Sequence, residues 1–448
     1  NPQLFPYKHN EGQFEVLVPL RNAKFAFQPD WPALTNLDIE LDFINDGLWM
    51  KTDGVNLGGV RASNLTAVIP DYSKEKLLID TDIKGPGKAV GPYFDETPLK
   101  DSLGATLQEL QLDGDVNARL HLDIPLNGEL VTAKGEVTLR NNSLLIKPLD
   151  STLKNLSGKF SFINGDLQSE PLTASWFNQP LNVDFSTKEG AKAYQVAVNL
   201  NGNWQPAKTG VLPEAVNEAL NGSVAWDGKV GIELPYHAGA TYNVELNGDL
   251  KNVSSHLPSP LAKPAGEPLP VNVKVDGNLN SFELTGQAGA DNHFNSRWLL
   301  GQKLTLDRAI WAADSKTLPP LPEQSGVELN MPPMNGAEWL ALFQKGAAES
   351  VGGAASFPQH ITLRTPMLSL GNQQWNNLSI VSQPTANGTL VEAQGREINA
   401  TLAMRNNAPW LANIKYLYYN PSVAKTRGDS TQSSPFPTTE RINFRGWP

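Results

Sequence analysis

The chain has 448 residues, with 36 Lys and Arg against 46 Asp and Glu. The formal net charge of −10 repels phosphate and excludes sequence-independent nucleic-acid binding. The absence of cysteine excludes disulfides, zinc–thiolate sites, iron–sulfur clusters and thiol nucleophiles, and a hydrophobic content of 40% excludes a disordered chain.

Period-two alternation dominates the chain from its start. In Leu37-Asp38-Ile39-Glu40-Leu41-Asp42-Phe43 every second residue is apolar and the others are acidic. A strand sends successive side chains to opposite faces, so this segment has one oily and one wet face. A first helix is predicted over Glu96–Gln108, with Leu99, Leu103 and Leu107 four apart. The alternation resumes in Val116, Ala118, Leu120, Leu122 and Ile124, then in Phe160 and Phe162, Trp176, Val183 and Phe185, and Val196, Val198 and Leu200. Pro213–Leu220 reads as a second helix with proline at its start. Strands follow at Trp226, Val230, Ile232 and Leu234, at Val244 and Leu246, and at Val271, Val273 and Val275. Asn335–Lys345 reads as a third helix, with Trp339, Leu340 and Phe343 on one face. The last strands carry Ile361 and Leu363, Leu368 and Leu370, and Ile398, Ala400 and Leu402. Turn signals such as Asn45-Asp46-Gly47, Asn164-Gly165, Asn201-Gly202 and Asp276-Gly277 separate them, so the pattern is a hairpin meander.

The chain repeats itself. Leu34–Leu48 aligns with Leu153–Leu167 at a constant offset of 119, and Pro29 meets Pro148 at the same offset. A weaker echo lays Gly114, Val116, Leu122 and Ile124 onto Gly222, Val224, Val230 and Ile232. A serial array of similar hairpin units is expected. Three Pro-rich stretches, 256–270, 317–333 and 420–437, interrupt it; the first two read as excursions or linkers and the third as a mobile tail.

A flat open sheet rarely exceeds about ten strands before it curls or splits. Three short helices do not cover this many one-sided strands. The sheet has three ways to hide its oily face: fold on itself as a sandwich, close as a barrel, or curl into a trough occupied by something apolar. The fold class expected is all-β with few short helices. It is an elongated, repeat-built antiparallel sheet, since serial repetition favours an elongated object; the pattern alone leaves open whether that sheet packs on itself or is curled into an open hydrophobic groove. In a trough, the candidate lining is Leu37, Ile39, Leu41, Phe43, Val116, Leu120, Leu122, Ile124, Phe160, Phe162, Trp176, Val183, Phe185, Val196, Val198, Trp226, Val230, Ile232, Val244, Leu246, Val273, Val275, Leu363, Leu370 and Leu402. A lining of this kind dissolves acyl chains, at about 0.8 kcal/mol per buried CH₂. The rival is a scaffold of self-packed β domains with no channel.

Candidate chemistry is weak. The six histidines are scattered without metal-ligand spacing. Asp80 and Asp82, and Asp113 and Asp115, pair carboxylates but read as wet-face or turn acids. Gly85–Gly91 lacks dinucleotide-loop spacing, and Ser151-Thr152-Leu153-Lys154 with Lys208-Thr209-Gly210 lacks the Ser-Asp-Asn that accompanies them in penicillin-binding enzymes. Lys24, Lys84, Lys159 and Arg119 read as solvated surface, with lipid headgroups at a groove rim as the alternative. No enzyme activity, metal or cofactor is expected. No run approaches the roughly 18 apolar residues of a membrane span, and the opening Asn1-Pro2-Gln3 reads as a fragment of a longer protein.

Three segments resemble recurring units of the AsmA-like family of bacterial envelope proteins. These are Phe25–Leu34 before the 37–48 hairpin, the run from Leu246 to Pro264, and Ile398–Leu402 leading to Trp410 and Lys415-Tyr416-Leu417. The resemblance implies the periplasmic portion of an inner-membrane-anchored protein whose β groove carries phospholipid between inner and outer membranes. Its partners would be acyl chains and the two membranes, with no nucleic acid. The expected division is a first groove segment over 1–210 holding both 119-residue units, a second over 211–420, and a tail over 421–448.

Overall fold

The computed structural model describes residues 2–9, 11–26, 30–98, 100–147, 151–210, 212–349, 355–356 and 358–421. Pro29, Leu99, Pro148 and the chain from 422 onward lie outside the described residues, and with them the tail and nearly all of the third Pro-rich stretch.

Among the described residues one hydrogen-bonded sheet joins 27 strands, and a separate two-stranded ribbon pairs Leu220–Gly222 with Val253–Ser255. Four of the 27 only extend a position that another strand occupies, so about 23 positions follow one another. At about 4.8 Å per step the ladder runs roughly 100 Å from Glu15–Phe25 to Leu411–Leu417. Among the described residues these two strands each pair on one side only, so the sheet is open and not a barrel.

The repeat seen in the sequence is repeated in the backbone. Asn22, Asn36 and Asn45 take left-handed φ angles, and so do Asn141, Asn155 and Asn164, each 119 residues on. The pair Glu15–Phe25 with Leu34–Ile44 slips register after Leu20, and Thr132–Ile146 with Ser151–Ile163 slips after Leu139. Asn45 Oδ1 accepts from the Phe14 N–H at 2.9 Å, and Asn164 Oδ1 accepts from the Ala133 N–H at 2.9 Å. Asparagine tolerates this conformation because its short amide bonds locally.

The two long rims of the sheet differ. One carries tight turns, as at Asn45-Asp46 and Asn164-Gly165. The other carries the excursions: 87–114 between Lys76–Pro86 and Asp115–Pro125, 205–223 between Ala193–Trp204 and Val224–Pro235, and 250–269 between Thr241–Asp249 and Pro270–Asn278. Gly114 and Gly222, 108 apart, both have positive φ where the chain re-enters the sheet.

Two expectations need correction. The sheet is mixed rather than wholly antiparallel: Leu304–Ala313, Gly326–Asn330 and the start of Ile361–Leu370 run parallel. Parallel neighbours need a crossover: residues 314–325, which include the first part of the Pro-rich stretch, form one, and helix Gly336–Glu349 lies in the other, while the strand Gly326–Asn330 falls inside the stretch read as a linker. The first predicted helix is also broken. Helix Val90–Asp95 precedes it, and a π turn over Lys100–Gly104 leads into Ala105–Glu109. Pro98 lacks an N–H and disfavours helical geometry at Thr97, which ends the first piece. The second helix is a single turn, Glu214–Asn217, behind Pro213. The third is longer than expected and begins where Asn335 Oδ1 accepts from the Ala337 N–H at 3.1 Å.

Candidate functional site

Residues directly opposite on neighbouring strands share a face, so register shows whether the oily faces join. Val18, Leu41, Met50, Ala67, Ile79, Leu122 and Ala133 stand opposite one another in succession. Four residues along the same face a second row begins: Ile83, Ala118, Val137 and Phe160. It crosses the short strand Asp166–Ser169, where the Phe160 and Phe185 rings meet at 5.6 Å. It then continues through Val198, Val230, Val244, Val275, Leu284, Ser296, Ala309, Val327, Ile361, Ser382, Val391, Leu402 and Ala412. The hydroxyls in this row at Ser169 and Ser296 bond to the backbone amide of Phe185 and the carbonyl of Leu284. One face, apolar apart from Ser169, Ser296 and Ser382, therefore runs the whole length of the ladder among the described residues.

The opposite face is charged. Asp82 pairs with Arg119, Asp80 with His121 at 2.9 Å, Glu136 with Lys159, Glu245 with Lys274 and Glu328 with Arg364. Such exposed pairs add little stability because solvent screens them, but they mark this side as solvated. Arg119 and Lys159 thus lie mid-strand on the wet face, away from a groove rim. The Asp80–Asp82 pair lies there too. Among the described residues no three His, Asp or Glu side chains are placed to hold a metal ion.

The candidate lining residues fall into three groups. Leu37, Ile39, Ile124, Val183 and Val196 are buried. Leu41, Phe43, Val116, Leu120, Leu122, Phe160, Phe162, Trp176, Phe185, Val198, Trp226, Val230, Ile232, Val244, Leu246, Val273, Val275, Leu363 and Leu402 are half-buried. These two groups share the inner face. Leu370 is 44% exposed and seven residues beyond Leu363, out of phase with it, and the fold does not bring it in.

Packing on the inner face is uneven. One buried cluster runs from Leu37 to Ile124 and a second from Val137 to Val183, drawing in Phe160, Phe185 and Trp226. A third forms where helix Gly336–Glu349 lies on the face. Trp339 is buried against Trp311, Leu329 and Leu363, and its Nε1 donates to the Ser259 carbonyl at 3.0 Å. Lys345 of that helix pairs with Glu218, beside the turn Glu214–Asn217. These excursions leave the ladder about 30 Å apart by strand spacing, and this ion pair joins them. Among the described residues, none of the three clusters includes an inner-face residue between Val230 and Trp298.

Register also brings in residues that alternation does not pick out: Val18, Met50, Ala67, Ile79, Leu284, Trp311 and Val391. Around Met50 the reason is plain. Trp49, Val68 and Leu78 line up on the other face, so both faces are locally apolar and the period-two signal vanishes.

A long, repeat-built sheet whose edge strands each pair on one side only among the described residues, and which carries one predominantly apolar face, defines the class of extended β-sheet proteins with one oily side. The chain belongs to the YhdP family, whose model, described as YhdP protein, matches residues 1–448. It is 98% identical over all 448 residues to the intermembrane phospholipid transporter YhdP of Escherichia coli (strain K12). It spans 35% of that protein's length.

Proposed function

We propose that this chain is one section of a conduit that carries phospholipid between two membranes, acyl chains lying on the inner face and headgroups in water. The observation that carries this reading is the row of apolar cross-strand pairs from Ile83 to Ala412, left half-exposed by its own protein between Val230 and Trp298. A lipid tail moved through water exposes apolar surface at about 25 cal/mol per Å². A continuous apolar path removes most of that cost at every step, with no bond made or broken and no cofactor. The near-identical relative is named for this transport, which supports the reading. The periplasm between inner and outer membrane is the compartment that such a role requires. Among the described residues no helix is long and apolar enough to cross a membrane.

The sealed clusters over 37–124 and 137–183 favour a second reading, a scaffold whose sheets pack on themselves. Purification of the protein, solvent extraction and mass spectrometry separate the two. Co-purified phospholipid at a reproducible ratio supports the conduit, and lipid-free protein supports the scaffold.

A further inference from the structure

The section of the inner face that no cluster seals is built in an unusual way. Its floor mixes valines and glycines with larger side chains, several of which are laid onto the glycines of neighbouring strands. Gly228 stands opposite Leu246, Gly277 opposite Tyr242 and Phe282, and Gly286 opposite Phe294. A methyl group on Gly277 would come within 2.6 Å of Cζ of Tyr242, and one on Gly228 within 2.6 Å of Cδ2 of Leu246. One on Gly286 would collide with the Phe294 ring. None of the three has a positive φ, so the backbone does not call for glycine there. The neighbouring side chain does: it occupies the space a Cβ would take.

A ring lying flat over a glycine adds little height to the floor. A ring displaced by a Cβ has to stand up from the sheet, because the strands on either side close the other directions. We propose that Gly228, Gly277 and Gly286 set the clearance of the groove for acyl chains, each by letting the opposite side chain lie down. This rests on the conduit reading given above. These glycines are positioning residues; the surfaces that meet the tails are Leu246, Tyr242, Phe294 and the valines between them.

The test uses the full-length protein in cells, with a photoreactive amino acid in place of Leu284, next to Gly286 on the inner face. Captured phospholipid is measured by mass spectrometry and folding by circular dichroism. Gly286→Ala is expected to lower capture several-fold while the protein stays folded. Adding Phe294→Ala, which removes the displaced ring, is expected to restore it. Gly231→Ala, a glycine of the wet face beside Asn243, is expected to leave capture at the wild-type level. Should Gly286→Ala unfold the protein, Gly277→Ala is read in its place. A folded glycine variant that captures lipid like the wild type overturns the clearance role and leaves the conduit standing. A wild type that captures none at this position removes the conduit reading and the clearance role with it.

Discussion

Trp311 and Trp339 meet with ring centroids 6.5 Å apart, and this contact seats a helix on the inner face of the sheet. Trp311 belongs to a central strand and Trp339 to the helix that follows the parallel pair. Truncation by Trp339→Ala removes the largest apolar anchor and the bond to Ser259. A buried Trp→Ala change costs about 3–5 kcal/mol, here drawn from the helix and not from the distant strands. Hydrogen exchange should rise in peptides covering 336–345 and stay unchanged in Glu15–Phe25. Equal loss of protection in both would show that the helix is not a separable roof.

The two faces make opposite demands on charge. Val244 and Glu245 are adjacent, one in the apolar row and one in the ion pair with Lys274. A carboxylate placed in the apolar row costs several kcal/mol to desolvate. Val244→Asp should cut co-purified phospholipid several-fold, and Glu245→Gln should leave it unchanged. Lipid extraction followed by mass spectrometry reads both, and equal losses would remove the two-face assignment.

Tyr194 is fully buried, its hydroxyl donating to the Gly165 carbonyl at 2.8 Å and lying 2.7 Å from the Thr187 hydroxyl. Burial pushes its phenol up to about 12. A raised pKa contributes stability that is present below the ordinary tyrosine value and lost as pH rises through the folded one. Tyr194→Phe should destabilise the fold by about 1–2 kcal/mol at neutral pH and should flatten the loss of stability above pH 10 or so. Denaturant melts at stepped pH measure both effects.

Glu397 has the opposite sign. Burial works to raise its carboxyl, but hydrogen bonds from the Asn376 backbone at 2.6 Å and side-chain amide at 2.8 Å outweigh it and hold the group below the usual glutamate range. Its stabilisation is present above the ordinary glutamate value and is lost as pH falls toward the folded one. Glu397→Gln should cost about 2 kcal/mol near neutrality and erase that acid loss in the strands Gln373–Thr385 and Ile398–Arg405. Exchange of their amides at stepped acidic pH checks it.

The strands and their inward residues were largely legible in the sequence. Alternation is a local property, and the residues from Val230 to Val275 alternate cleanly because one face is wet and the other is not. The 119-residue repeat was legible too, down to the turn asparagines. The parallel pairing of Leu304–Ala313 with Gly326–Asn330 was not, because pairing direction depends on how a crossover returns and not on either strand alone. Nor was the seat of helix Gly336–Glu349: Trp339 marks it as amphipathic without saying which apolar surface it covers. The row through Met50, Ala67 and Ile79 was hidden by Trp49, Val68 and Leu78 behind it.

A photoreactive amino acid placed in turn at Val244 and at Glu245, in living cells, tests most directly whether hydrocarbon tails travel on the inner face. The expected result is a phospholipid adduct at 244 and none at 245. No adduct at 244, or equal adducts at both, would contradict the groove as the lipid path.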